Sequence, residues 1–267
     1  MILIEAFASP FMQRAFLAGA ILAPLLAALG IYVSLRKMAF FGDGIAHASL
    51  AGIAVALVAG VTPLPVALVW CVLVALAVWR LERTTKLPSD TVIGILFTSS
   101  LAIGVVLMSF TRGFQPDLVN FMFGSILAIR PQDIMLIAAV AGVLAVWLGL
   151  NWRSLAYLSL SEDSAAAAGI PVGRRIAGLY VALALATVLG VKIFGIILVS
   201  ALLILPPAAA RMLSKSFRDY VLISLLFSEI AVVAGLILSY AYDLPSGAVI
   251  VLASTALFFL SAILGKR

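Results

Sequence analysis

Apolar residues run in long unbroken stretches along this chain, and the polar ones collect in short segments between them. Stretches of about 17 residues or more recur over its whole length, enough for a helix to cross a hydrocarbon core ~30 Å thick. The pattern predicts nine spans, at residues 15–35, 44–60, 63–79, 91–110, 134–150, 176–190, 193–210, 220–240 and 248–264. No polar segment between them is long enough for a soluble domain. The expectation is an all-α polytopic membrane protein, with residues 1–267 forming a single transmembrane domain. The join at Gly190–Lys192 allows two readings, a loop between spans or a kink in one long helix.

Composition agrees, with 65% hydrophobic and 10% charged residues and a mean hydropathy of +1.26, far from the balance of a soluble domain. Charge adds orientation. All 17 Lys and Arg except Arg14, Arg112, Arg130 and Lys192 fall in one set of loops. Basic loops stay cytoplasmic, so the N-terminus is expected outside and the C-terminus inside. The net charge of +6 belongs to those loops and does not point to nucleic acid. Cys71 is the sole cysteine and lies in an apolar run, which excludes disulfides and thiolate metal sites. Arg14 near the start of the first run, with no basic leader before it, argues against a cleaved signal peptide.

Several connecting residues carry structural signals. The outer segment 111–133 is too polar to span, and within it 118–129 reads as a short interfacial or re-entrant helix. The inner segment 151–175 is the longest cytoplasmic loop. In it, Ser161 is expected to cap a short helix, with Glu162 and Asp163 at its positive end. Ala166 falls within that helix, and Gly169 with Pro171 ends it. Asp90 is expected as an N-cap. Pro206 and Pro207 remove two backbone donors and should kink or end their span.

Chemistry concentrates at residues 42–49, GDGIAHAS. His47 is the only histidine, four positions after Asp43. On a helix, residues four apart share a face, so a carboxylate and an imidazole converge, and both suit zinc or manganese. The small residues around them would let another backbone approach. The bland alternative is a capping Asp and a His bonded to a neighbouring carbonyl, but ionisable groups inside membrane spans are costly and usually functional. Glu229 lies mid-span, as a pathway ligand, a proton carrier or a buried neutral acid. Asp243 most simply starts the Pro-Ser-Gly turn. The chain has no phosphate-cradling Gly-x-x-x-x-Gly-Lys-Ser/Thr loop and no Gly-x-Ser-x-Gly elbow.

Four stretches together resemble the permeases of metal-uptake ABC transporters. Residues 36–52, RKMAFFGDGIAHASLAG, are similar to the family's second-helix signature, and 117–127, DLVNFMFGSIL, to its external segment. Residues 192–211, KIFGIILVSALLILPPAAAR, resemble its late broken helix, and 243–248, DLPSGA, the turn before its last span. The Phe40-Phe41-Gly42-Asp43 run with Ala46-His47-Ala48 is nearer the zinc branch; manganese and iron members tend to carry Met or Leu before Gly-Asp and Ser before the His. Glu229 has no family counterpart, and Pro207 stands where Ala is expected.

The resemblance implies an importer-type ABC permease fold with broken helices, in the bacterial inner membrane. It implies a homodimer of permeases, two cytoplasmic ATPase subunits and an extracytoplasmic metal-binding protein. No permanently bound cofactor is expected, and the cargo would be a divalent metal, zinc before manganese, ferrous iron or a metal chelate. Asp43 and His47 match family ligand positions, as does Asp243, and the 161–169 helix would be the element that docks on the ATPase. By loop charge Asp43 starts its span from the cytoplasmic side while Asp243 lies outside. They share a site only if 38–41 enters the membrane as irregular backbone. The rival classes are a secondary transporter coupled to protons through Glu229, and a membrane enzyme. Orientation is directly testable: with Cys71 replaced, a cysteine at Ser161 should be labelled only from the cytoplasm and one at Ser246 only from outside.

Overall fold

The computed structural model describes residues 9–110 and 129–265. Among them are ten helices: α1 Pro10–Leu35, α2 Phe41–Ala59, α3 Pro63–Thr85, α4 Ser89–Ser109, α5 Pro131–Leu160, α6 Glu162–Ala167, α7 Val172–Phe194, α8 Ile196–Leu213, α9 Phe217–Tyr242 and α10 Ser246–Leu264. All but α6 are long and apolar enough to cross a membrane, and they correspond one for one to the nine expected spans. Of the segment 111–133, expected to hold a short helix over 118–129, residues 111–128 lie outside the described residues.

Most helices outrun their hydropathy. α3 continues through Arg80, Glu82 and Arg83, and α5 through Asn151 and Arg153 to Leu160. The loop expected at 151–175 is therefore helical over its first ten residues. Hydropathy marks where lipid begins, whereas a helix stops where its backbone is capped. Lys86, in the left-handed region, ends α3. Asp90 is not the cap of α4: Pro88 holds that position and Asp90 sits in the first turn.

The chain divides into two compact units. One comprises Met1–Ser34, Phe121–Ala145 and Gly190–Arg267; the other Leu35–Asn120 and Val146–Leu189. In the second unit α2 packs along both α3 and α4. Its small residues permit this: a Cβ on Gly52 would lie 2.7 Å from the Ala67 backbone, and one on Gly44 2.5 Å from the Ile93 side chain. Without a hydrophobic drive between helices in lipid, such close approach supplies the packing. In the first unit α8, α9 and α10 pack pairwise. Val69 and Leu73 on α3, Val105 and Val106 on α4 and Leu252 and Leu260 on α10 are exposed, as befits surfaces solvated by lipid.

The join between α7 and α8 falls at Gly195, beyond the expected 190–192. α7 runs through Gly190 and Lys192 to Phe194, and Gly195 takes φ 78° and ψ 169°, a conformation open to glycine alone. The chain doubles back there, since a Cβ on Gly190 would meet Val199 Cγ2 at 2.7 Å. In a continuous helix those residues would stand about 13 Å apart. Beside this turn Lys192 Nζ lies 2.5 Å from Asp133 Oδ1. Asp133 Oδ2 also accepts from the Arg130 N–H at 3.1 Å. Each charge suits its helix, an anion in the first turn of α5 and a cation in the last turn of α7.

Pro206 and Pro207 do not end their span, because α8 continues to Leu213. They remove the N–H groups that would bond the Leu202 and Leu203 carbonyls. The Leu203 oxygen instead lies against Gly30 of α1, where a Cβ would collide with it. The Gly30 Cα–H in that place points at the carbonyl, a weak donor where no water is at hand. Gly30→Ala should therefore destabilise by about 1–3 kcal/mol, read as a lower melting temperature of the detergent-purified protein. Gly149→Ala, into open space, should not lower it.

Candidate functional site

α2 starts after a five-residue connection, 36–40. The Lys37 backbone is left-handed (φ 57°), Met38 is buried and its carbonyl accepts from the Phe41 N–H at 3.1 Å. Phe40 holds the N-cap position with no side-chain cap. Asp43 is the third helical residue, so its carboxylate faces the positive end of the helix without being the capping residue. Its side chain is half-buried, as is His47 one turn on, while Gly42, Gly44, Ile45, Ala46 and Ala48 are buried. The helix thus presents one carboxylate and one imidazole from an otherwise closed apolar segment.

The Phe97 ring of α4 packs against the imidazole, centroids 5.2 Å apart. Gly44 brings α4 near enough for that contact. Among the described residues the imidazole makes no hydrogen bond, so its nitrogens are not committed to a neighbouring carbonyl. On the other flank of α2 the Ile45 carbonyl accepts from Cys71 Sγ at 3.6 Å, and Cys71 is buried and free. Among the described residues no three His, Cys, Asp or Glu side chains gather into a group able to hold a metal.

Asp243 is the C-cap of α9, exposed, with φ 51° and ψ 46°, a conformation Asp tolerates better than most side chains. The Leu244 N–H closes this turn on the Ser239 carbonyl at 3.1 Å, and Ser239 Oγ donates to the Leu244 carbonyl at 2.6 Å. Asp243 belongs to the first unit, Asp43 and His47 to the second. Glu229 sits half-buried in the middle of α9, between buried Ser228 and exposed Ile230, and its carboxylate has no ion-pair or hydrogen-bond partner among the described residues.

The short helix α6 takes the expected form. Ser161 Oγ accepts from the Ser164 N–H at 3.2 Å. At the other end Gly169 (φ 78°) bonds back to the Ala166 carbonyl and Ile170 to that of Ala165, both at 3.0 Å. That pairing is the Schellman arrangement. Asp163 is exposed at the first turn. Glu162 does more than favour the helix dipole: its Oε1 accepts from Arg36 Nη2 at 3.0 Å. Arg36 Nη2 also lies 3.8 Å from Glu82 Oε1, and Tyr180 OH donates to Glu82 Oε2 at 2.5 Å. Burial works against the Arg36 charge, but Tyr180, Glu162 and Glu82 raise its pKa above the usual value, so it is a permanent cation. The sequence reading missed this cluster. Its signal was the scarcity of acids: in so apolar a chain a glutamate at a helix end needs a cation within reach.

Among the described residues nine helices are long and apolar enough to cross a membrane, with a one-residue break between α7 and α8 and a capped short helix at α6, the architecture of a polytopic membrane protein. The chain matches the ABC 3 transport family over residues 8–265, and it belongs to that family as a membrane permease. It is 34% identical over 253 residues to the high-affinity zinc uptake system membrane protein ZnuB of Haemophilus influenzae, covering 95% of this chain and 97% of that one. It is 33% identical to the manganese transport system membrane protein MntC of Halalkalibacterium halodurans, covering 94% and 86%. PsaBC from Streptococcus pneumoniae in complex with Fab shares the fold, with a TM-score of 0.84 and 30% identity over 97% of this chain and 94% of that one.

Ser161→Ala should free the Ser164 amide. A lost cap is worth ~1 kcal/mol, so amide exchange at 162–168 should speed up by roughly fivefold, measured by hydrogen exchange and mass spectrometry.

Proposed function

We propose that this permease is the membrane subunit of an ATP-driven importer that carries a divalent transition metal ion into the cytoplasm, with zinc as its substrate. The observation that carries the reading is the Asp43–His47 pair, one turn apart and half-buried in a buried apolar segment, with the imidazole free of hydrogen bonds among the described residues. A transported ion must be held briefly and released, which favours few ligands completed by water over a closed four-ligand cage. Imidazole favours zinc over manganese, which relies more on oxygen donors. Manganese is the second reading, favoured by the 33% identity to a relative named for manganese transport.

The remaining parts of the reading follow the family. A separate cytoplasmic ATPase supplies the energy and docks on α6, an extracytoplasmic binding protein delivers the ion, and two permease copies form the pathway in the bacterial inner membrane. The N-terminus lies outside and the C-terminus in the cytoplasm. Asp243 joins the pathway from the outer side. Glu229, with no partner among the described residues, is assigned no step.

Asp43→Asn removes the charge and keeps the shape; His47→Ala removes the imidazole. Each should lower zinc uptake at limiting metal by about tenfold or more, the scale on which even supporting residues of metal sites act. Uptake is measured per assembled permease–ATPase complex, because a purely structural role would lower the amount of complex and leave uptake per complex unchanged. Manganese uptake, if the wild type shows any, should fall less in His47→Ala. Normal uptake of both metals by both variants would overturn the transit site. Deleting 165–168 should abolish both ATPase co-purification and uptake while the permease still inserts.

A further inference from the structure

Four side chains, those of Arg36, Glu82, Glu162 and Tyr180, gather by the turn into α2, and the transit site gives them no role. Arg36 stands between the end of α1 and the left-handed Lys37, with its side chain only 11% exposed. Its Nη2 is hydrogen-bonded to Glu162 of α6 at 3.0 Å and is 3.8 Å from Glu82 of α3. The nearer carboxylate makes a full hydrogen bond; the farther one lies just beyond that range. Arg36 Nε is buried with no acceptor, so this arrangement leaves the guanidinium incompletely satisfied. Glu82 is itself held in place, accepting from Ser89 Oγ at 2.6 Å and from Tyr180 OH at 2.5 Å. The buried Tyr180 ring then packs on Phe41, the first residue of α2, at 5.3 Å between centroids. Asp43 is two residues further on.

α6 reaches the rest of its unit through few contacts. Its exposed residues outnumber its buried one, Ala165, and among the described residues Glu162–Arg36 is its only ion pair. A push on α6 is therefore felt at Arg36. A guanidinium with a planar fork and two carboxylates in reach has two positions available, and a discrete change of partner is what carries a displacement through a packed protein.

We propose that Arg36 is a positioning residue that couples α6 to the metal-carrying helix by exchanging partners, from Glu162 to Glu82. When α6 moves away, the guanidinium passes to Glu82 and completes its hydrogen bonding there. As Glu82 turns to take the guanidinium on Oε1, its Oε2 moves away from the Tyr180 hydroxyl, and this loosens the Tyr180–Phe41 contact that fixes the start of α2. The Asp43–His47 pair then shifts with its helix. This rests on the reading of α6 as the ATPase-docking element, and it adds the route by which docking reaches the pathway.

The test uses the complete transporter in proteoliposomes, with zinc ions as the probe and metal moved per ATP hydrolysed as the readout. Glu82→Gln and Tyr180→Phe lie away from α6 and keep the side-chain shapes. Each should lower zinc moved per ATP severalfold, and Arg36→Lys, which keeps the charge but not the fork, should lower it as well. Glu162→Gln combined with Glu82→Gln should lose less than the product of the two single losses, because both act on one guanidinium. Unchanged zinc per ATP in Glu82→Gln and Tyr180→Phe would overturn the proposal, as would single losses that multiply independently. Loss of assembled complex with zinc per ATP intact would assign the cluster to folding alone and equally overturn it. A wild-type transporter that hydrolyses ATP but moves neither zinc nor manganese would instead overturn the functional reading, a result distinguishable from those.

Discussion

Hydrocarbon offers no hydrogen bonds, and the rest of this structure follows from that constraint. Every backbone donor and acceptor within a span must be satisfied by the protein, which is why the spanning segments are helices and why their few breaks are so local. The α7–α8 join uses one residue. In α8 the two prolines free carbonyls at Leu202 and Leu203, and the helix neither unwinds nor ends; α1 presents Gly30 to the Leu203 oxygen. Charges obey the same rule. Lys192 is matched by Asp133 and Arg36 by Glu162, each near a helix end.

The spans were legible because hydropathy is itself a statement about lipid, and nine apolar runs became nine helices. Their ends were not. Arg80, Glu82 and Arg83 read as a loop, yet a charged residue stops a helix only when the backbone finds a cap, which α3 does at Lys86. Two glycines near the seventh span look alike in sequence. Gly190 is small so that Val199 can approach, and Gly195 alone takes the backbone turn. Nothing local tells these uses apart.

At the candidate site the sequence showed what lies on one element. The four-residue spacing of Asp43 and His47 and the capped 161–169 helix are local facts, readable from helix period and cap chemistry. Glu162 was read as a dipole-favouring acid because only its own helix was in view. Its partner Arg36 lies 126 positions away in the chain, and Tyr180 lies 98 from Glu82. Phe97, against His47, was likewise one aromatic among many until α4 was in place.

The single-residue reversal at Gly195 also bears on how the chain assembles. The entropy lost in closing a loop grows with its length, and here the flanking turns meet across nine positions, from Gly190 to Val199. Contacts of such short range form early, because little chain must be ordered first. The end of α7 and the start of α8 can thus register against each other as soon as both have left the ribosome. The pairing of Asp133 with Lys192, 59 residues apart, then locks onto a corner already made. The bend is thus a joint whose own contacts need little chain to be ordered before them.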